Sequence, residues 1–221
     1  MDDDELKWKI KTMMLTVYNA TDVNRDPLVH SSFDIEKKIG EEFILLWLPA
    51  MVMCIDYEGC NDEKVAVINA AVYAAVDYIT EAHSYLQQIS SGTPRYTTWF
   101  GSYTASRKNS VEDHFAAIGN SPLSVKYDCT CTDQKRYVGV LSDDPSKIYL
   151  CGKFWSAPVT GTDSQAGSII YASASFTVYG GAQIIANGQE SCKRLATSNP
   201  DQAIINADSH RYFAENDPPL D

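Results

Sequence analysis

Val65, Ile68, Val72, Ala75, Ile79, Ala82 and Leu86 follow one another at intervals of 3, 4, 3, 4, 3 and 4 residues, the spacing that lines up side chains on one face of an α-helix. Asn61 stands where its side chain can cap the first free N–H groups, and Gly92 and Pro94 stand where such a helix must stop. A long helix with a single apolar stripe gains its stability from packing that stripe, so the rest of the chain has to supply its cover.

The cover reads as follows. Ser110-Val-Glu-Asp113 has the form of a capping box and Gly119 follows it, which predicts a short helix over 111–118. Val125-Lys-Tyr, Tyr137-Val-Gly-Val-Leu141 and Ile148-Tyr-Leu-Cys151 are β-rich runs divided by the turn Ser142-Asp-Asp-Pro-Ser146, and they predict a small antiparallel sheet. Thr162-Asp-Ser-Gln165 again resembles a capping box, opening a helical run from Ala166 to Phe176 that Gly180-Gly181 closes. A further helix starts near Asn187 and ends before Asn199-Pro200. Another has Pro200 in its first turn and carries Ala203, Ile204 and Ile205 toward Tyr212 and Phe213. Helices, then sheet, then helices describe an α+β domain. We divide the chain into an N-terminal extension over 1–56, whose role the sequence does not state, and a domain over 57–221. In the extension a weak alternation (Leu6, Trp8, Ile10; Met14, Thr16, Tyr18) suggests one or two strands. The apolar run Ile44 to Ile55 contains Pro49 and is short of the roughly 20 residues a membrane span needs, so it reads as buried core.

With 18 Lys+Arg against 29 Asp+Glu the formal charge is −11, which argues against nucleic acid as a partner because phosphate-backbone binding rests on clustered bases. No membrane partner is expected either. The start, Met1-Asp-Asp-Asp-Glu-Leu6, is acidic where a secretory leader would be basic, so the chain is either leaderless, as a protein stored in the cytoplasm would be, or processed. Asn19-Ala-Thr21 is a glycosylation sequon that has meaning only in a secreted chain. Of six cysteines, Cys129 and Cys131 share a strand face yet sit too far apart to bond each other comfortably, so each needs another partner. Cys-x-Cys without a second tight pair, among four scattered histidines, favours disulfides over a zinc site.

Residues 57–221 resemble the fungal peptidyl-lysine metalloendopeptidases, in the wider deuterolysin group of zinc proteases. The resemblance is carried by Thr93-Pro-Arg-Tyr-Thr-Thr-Trp-Phe-Gly-Ser-Tyr103, Asp128-Cys-Thr-Cys-Thr132, Ile148-Tyr-Leu-Cys-Gly-Lys-Phe-Trp155, Ala157-Pro-Val-Thr-Gly-Thr-Asp-Ser-Gln-Ala-Gly167 and Asn206-Ala-Asp-Ser-His-Arg-Tyr-Phe-Ala-Glu-Asn216. It implies a zincin-like fold, a secreted or otherwise oxidising location, and disulfides Cys60–Cys129 and Cys131–Cys151, leaving Cys54 and Cys192 over.

It also implies a His-Glu-x-x-His helix, in which two imidazoles one turn apart grip zinc and the Glu takes a proton from the metal-bound water. Those five positions here read Tyr171-Ala-Ser-Ala-Ser175, so Tyr171 and Ser175 stand for the ligands and Ala172 for the base. The family's third ligand, an Asp, falls on Ile184, and its supporting Tyr on Asn187. On this alignment no metal, no cofactor and no catalytic residue is expected. The lysine-specificity pocket of the family uses two acids on the last helix; here they are Asp208 and Arg211, which at a spacing of three can pair and neutralise the pocket, or simply form a solvated surface pair. Ser173, Ser175 and His210 invite a serine–histidine mechanism, but no nucleophile elbow accompanies them, and Cys192, three before Leu195 on a helical run, reads as a buried thiol.

The function expected is therefore that of a pseudoenzyme, a zinc-endopeptidase scaffold kept as a binding protein for a peptide, protein or glycan. The alternatives are a lectin-like or defence protein binding through another surface, for which the 13 Tyr and 4 Trp could supply stacking rings, and an enzyme with chemistry of another kind.

Overall fold

The computed structural model describes residues 55–220. The expectations for the extension, including the strands in 5–35, most of the apolar run 44–55, the sequon at Asn19 and the state of Cys54, lie outside the described residues.

The long helix forms as the spacing predicts. Helix α1 (Asp62–Gln88) is capped by Asn61, whose Oδ1 accepts from Lys64 N–H, and it buries Ile68, Ala71, Val72, Ala75, Ile79, Ala82 and Leu86. Val65 is the one predicted stripe residue left half-buried, because it lies in the first turn, beyond the elements that cover the rest. The cover consists of α3 (Ala105–Ile118), α5 (Gln165–Ser175) and α8 (Ala207–Glu215), with α2 (Pro94–Phe100) packed behind α8. Each buried Ile, Val or Leu contributes roughly 1.5–3 kcal/mol.

Several boundaries differ from expectation for identifiable reasons. Pro94 ends nothing: it occupies the first turn of α2, with Thr93 as cap. Helix α3 begins at Ala105, not 111, because Thr104 Oγ1 accepts from Arg107 N–H and Arg107 is held by Asp201 and Ser102; Ser110 lies mid-helix, its hydroxyl turned back to Ser106 O. Ser164, rather than Thr162, caps α5, and the last predicted helix breaks into α7 (Pro200–Ala203) and α8 around Asn206. Helix α6 (Gln189–Ser198) and the short α4 (Gly152–Ser156) complete the set.

The sheet is mixed, which corrects the antiparallel expectation. Its order is β1-β2-β4-β3, from β1 (Asp56–Glu58), β2 (Lys126–Asp128), β4 (Asp144–Leu150) and β3 (Val138–Leu141). Among the described strands only β3 and β4 form an antiparallel hairpin; β1 pairs with β2, and β2 with β4, in parallel. The three helices α1 to α3 lie between β1 and β2 in the chain, a crossover long enough to bring the chain back in the same direction. Tyr127 and Ile148 point into the core, fully buried, while Lys147 on the other face bridges Glu58 (2.8 Å) and Asp128 (3.3 Å) across three strands. Cys60 bonds Cys129 and Cys131 bonds Cys151, as the resemblance implies, and two disulfides favour an oxidising compartment.

Candidate functional site

A cleft of about 670 Å³ lies along β3, with Lys135, Arg136, Tyr137 and Lys153 on its sheet side and Ser168, Tyr171, Asp208 and Arg211 on its helix side. Helix α5 supplies one wall because it is buried on nearly every face; Tyr171 is its one residue that is not. Small side chains let it lie close to α8, and a Cβ at Gly167 would overlap Glu215 Oε1. Ile184, Asn187 and Gly188 enter the cleft from the segment before α6. That segment is pinned to the start of α8: Gln183 N–H donates to Ile205 O (2.7 Å), Ala207 N–H donates to Gln183 O (3.0 Å), and buried Asn206 accepts from Ile185 and Ala186 N–H at 3.1 and 3.0 Å.

Of the five positions to which the resemblance assigns zinc chemistry, Tyr171, Ile184 and Asn187 line the cleft, whereas Ala172 and Ser175 are buried in α5. Tyr171 lines the cleft, its hydroxyl pKa pushed up to about 12, mainly by burial and next by the charge of Asp208, against the pull of Arg136 and Arg211. Ser175 lies one turn on, buried, and its hydroxyl is spent on Tyr171 O at 2.8 Å. Ala172 is sealed in the core, and Ile184, 67% exposed, offers no lone pair. Among the described residues no three His, Cys, Asp or Glu side chains converge in a way that could hold a metal. A neutral phenol, an engaged hydroxyl and an aliphatic chain do not fit zinc, which takes imidazole, thiolate or carboxylate, so no step of chemistry is routed through a metal here.

Asp208 and Arg211 both line the cleft, and both are buried. Arg211 sits in a cage of carboxylates: Nη2 meets Asp163 Oδ1 at 2.8 Å, Nε meets Glu215 Oε1 at 3.3 Å, and Nη1 is 3.8 Å from Asp208 Oδ1. Its guanidinium also lies over the rings of Tyr137 and Tyr212 at 5.0 and 5.1 Å. Glu215 is further held by the Ser164 N–H and hydroxyl, both at 2.9 Å, and Asp208 by Gly188 N–H at 2.9 Å, a glycine at φ +80° where other residues are strained. Burial nonetheless lifts both carboxyls above their ordinary pKa, with Arg211 and the hydrogen bonds working against it. For Arg211 burial opposes the charge, and Glu215, Tyr212, Asp208 and Asp163 outweigh it.

Among the described residues Ser173 and Ser175 have no histidine partner. His210 is fully buried, its Nδ1 at 3.0 Å from Asn206 O and its Nε2 at 3.0 Å from His114 Nδ1. Cys192 is a buried thiol, its pKa pushed up to about 12 chiefly by burial and next by Asp208, the opposite of an activated nucleophile. Sequence reasoning missed Asp163, Glu215, Asn206 and the basic wall of Lys135, Arg136 and Lys153. Glu215, four residues after Arg211, had a readable helical spacing; the others meet the site only through the fold.

Residues 85–215 match the family described as Lysine-specific metallo-endopeptidase. The peptidyl-Lys metalloendopeptidase of Grifola frondosa is 40% identical over 209 residues, 92% of this chain and 60% of that protein. That of Pleurotus ostreatus is 46% identical over 165 residues, covering 74% of this chain and 98% of the relative. An extracellular protease of Aeromonas hydrophila is 40% identical over 174 residues, 76% of this chain, which spans only 49% of the relative. The first of these matches is longer than residues 57–221 and so reaches into the N-terminal extension. The solved structure of a zinc peptidase from Grifola frondosa superposes with a TM-score of 0.72 at 45% identity, over 73% of this chain and 100% of that one. Sequence and fold agree, and the chain belongs to the Lysine-specific metallo-endopeptidase family.

Proposed function

We propose that the chain is a non-hydrolytic homologue of the zinc endopeptidases, and that it binds a peptide in the cleft beside β3. What supports this reading is the donor set that the resemblance assigns to zinc chemistry: Tyr171, Ile184 and Asn187 line a cleft of about 670 Å³, and Ala172 and Ser175 are buried in α5 behind it. Without a metal to bring a bound water's pKa from 15.7 to about 7, and without a base in place of Ala172, hydroxide is not generated at neutral pH. A binding role needs neither. Among the described residues strand β3 is paired on one side only, and its residues 138–140 line the cleft, so the edge left free there can accept an extended peptide. The two disulfides, and the name of the Aeromonas relative, support work outside a reducing cytosol. A glycan-binding role has less support, since among the described Tyr, Trp and Phe residues only Tyr73 is exposed.

The test is a pair of measurements on the purified full chain. Zinc titration by calorimetry should give no stoichiometric heat, and a chelator should leave the melting temperature unmoved. Chelator-sensitive cleavage of a lysine-containing peptide, with contaminating protease excluded, would refute the reading.

A further inference from the structure

Residues 57–221 carry 18 acidic and 12 basic side chains, yet the cleft is lined by four cations, Lys135, Arg136, Lys153 and Arg211, against two carboxylates, Asp163 and Asp208. The charges are not equivalent. Arg211 and both of those acids belong to one cage, closed by Glu215, so they leave little field for a ligand. The three remaining cations are exposed and stand along the sheet side. Arg136 has an exposed partner, Asp133, at 3.3 Å, whereas Lys135 and Lys153 have no ion pair among the described residues. Lys153 Nζ lies 5.5 Å from the Tyr137 ring, over which Arg211 also lies, so the ring joins the exposed and the caged cations into one surface. The charge of Arg136 is felt at the Tyr171 hydroxyl, whose pKa it pulls down against burial.

Resting on the peptide-binding reading above, we propose that the occupant is an acidic peptide: an extended segment pairs with the free edge of β3 and sets a Glu or Asp carboxylate among Lys135, Arg136 and Lys153. A lysine side chain in the same place would meet three like charges. Fields of one sign inside a cleft select for the opposite sign and speed its capture, most at low ionic strength. The ligand preference is thus opposite in sign to the lysine in the relatives' name.

Three equal pools of biotinylated hexapeptides test this, each fixed at its third position as Glu, Gln or Lys and randomised over small and apolar residues elsewhere. Retained peptides are quantified by mass spectrometry after capture on the full chain. The Glu pool should be enriched about tenfold or more over the Lys pool, with Gln between them, and the enrichment should fade between about 0.05 and about 0.5 M salt. The double variant Arg136→Glu with Lys153→Glu alters two exposed side chains, so it should fold, checked by circular dichroism, and should reverse the order. Equal retention of the pools, or a preference for Lys, overturns the acidic-ligand proposal while leaving peptide binding intact. Retention of none of them removes the peptide-binding reading and this inference together.

Discussion

Two buried arginines hold the C-terminal helix α8, and they do so in opposite ways. Arg95, 1% exposed, reaches out of the core: it pairs with both oxygens of Glu81 (2.7 and 2.6 Å), whose side chain is 55% exposed, and it caps Phe213 O with two bonds while its guanidinium contacts the rings of Tyr85 and Phe213. Arg211 turns inward, and of its three carboxylate partners Asp208 and Glu215 are themselves buried. The first is a scaffold contact whose counter-charge stays in water. The second fills what the resemblance identifies as a recognition pocket with mutually dependent charges.

Removing Arg211 should therefore cost most. Arg211→Met leaves buried carboxylates uncompensated, a loss of about 3–5 kcal/mol in denaturant unfolding at pH 7, and Arg211→Glu, which adds a fourth acid, should fare worse. Asp208 and Glu215 are already held above the ordinary carboxyl range by burial, so in the variant the folded chain takes up protons more readily than the unfolded one. Acidification toward about pH 5 should then return part of the loss. Arg95→Met should cost about 1–3 kcal/mol by stranding the Phe213 carbonyl, and since a carbonyl has no proton to gain, acid should not return that loss. Parallel pH profiles for the two variants would erase the distinction.

A buried histidine gives the next effect. His210 is held at a pKa of about 3, mainly by burial and next by His114, with Asn206 O opposing. Its folded value lies below its unfolded one, so the stability it confers is complete above about pH 6.5 and drains away as pH falls toward the folded value, about 2 kcal/mol of it by pH 5. His210→Phe should flatten that part of the profile measured by thermal unfolding; an unchanged slope would show that His210 is not the group responsible. The smallest effect belongs to Ser175→Ala. Its hydroxyl serves only Tyr171 O on its own helix, so the change should stay within about 0.5 kcal/mol and leave peptide capture as it was.

Legibility in the sequence followed the range of the interactions. The α1 stripe, the Asn61 cap and the Pro200 start are local patterns, and all three could be read directly. The start of α3 could not, because Thr104 and Ser110 are equivalent as local caps and the choice is made by Arg107 bonding to Asp201, 94 residues away. The parallel pairing of β1 with β2 escaped for the same reason: alternation announces a strand but not its neighbour. At the site, the spacing of Asp208 and Arg211 predicted contact without burial. Their solvated alternative fails because Asp163, 48 residues upstream, and Tyr137 close over the pair.

The disulfide between Cys131 and Cys151 spans 20 residues, and Lys135, Arg136, Tyr137 and β3 all lie inside that loop, with Lys153 just beyond it. The loop also carries Val138, Ile148 and Leu150 of the apolar core, whose larger share lies on the helices, α1, α5 and α8 among them. A cross-link of that span removes roughly 3 kcal/mol of chain freedom from the open state, and the restraint falls on the sheet wall of the cleft and on the core residues of β3 and β4 together. Reducing that one bond should therefore loosen the basic wall and weaken the core in a single step.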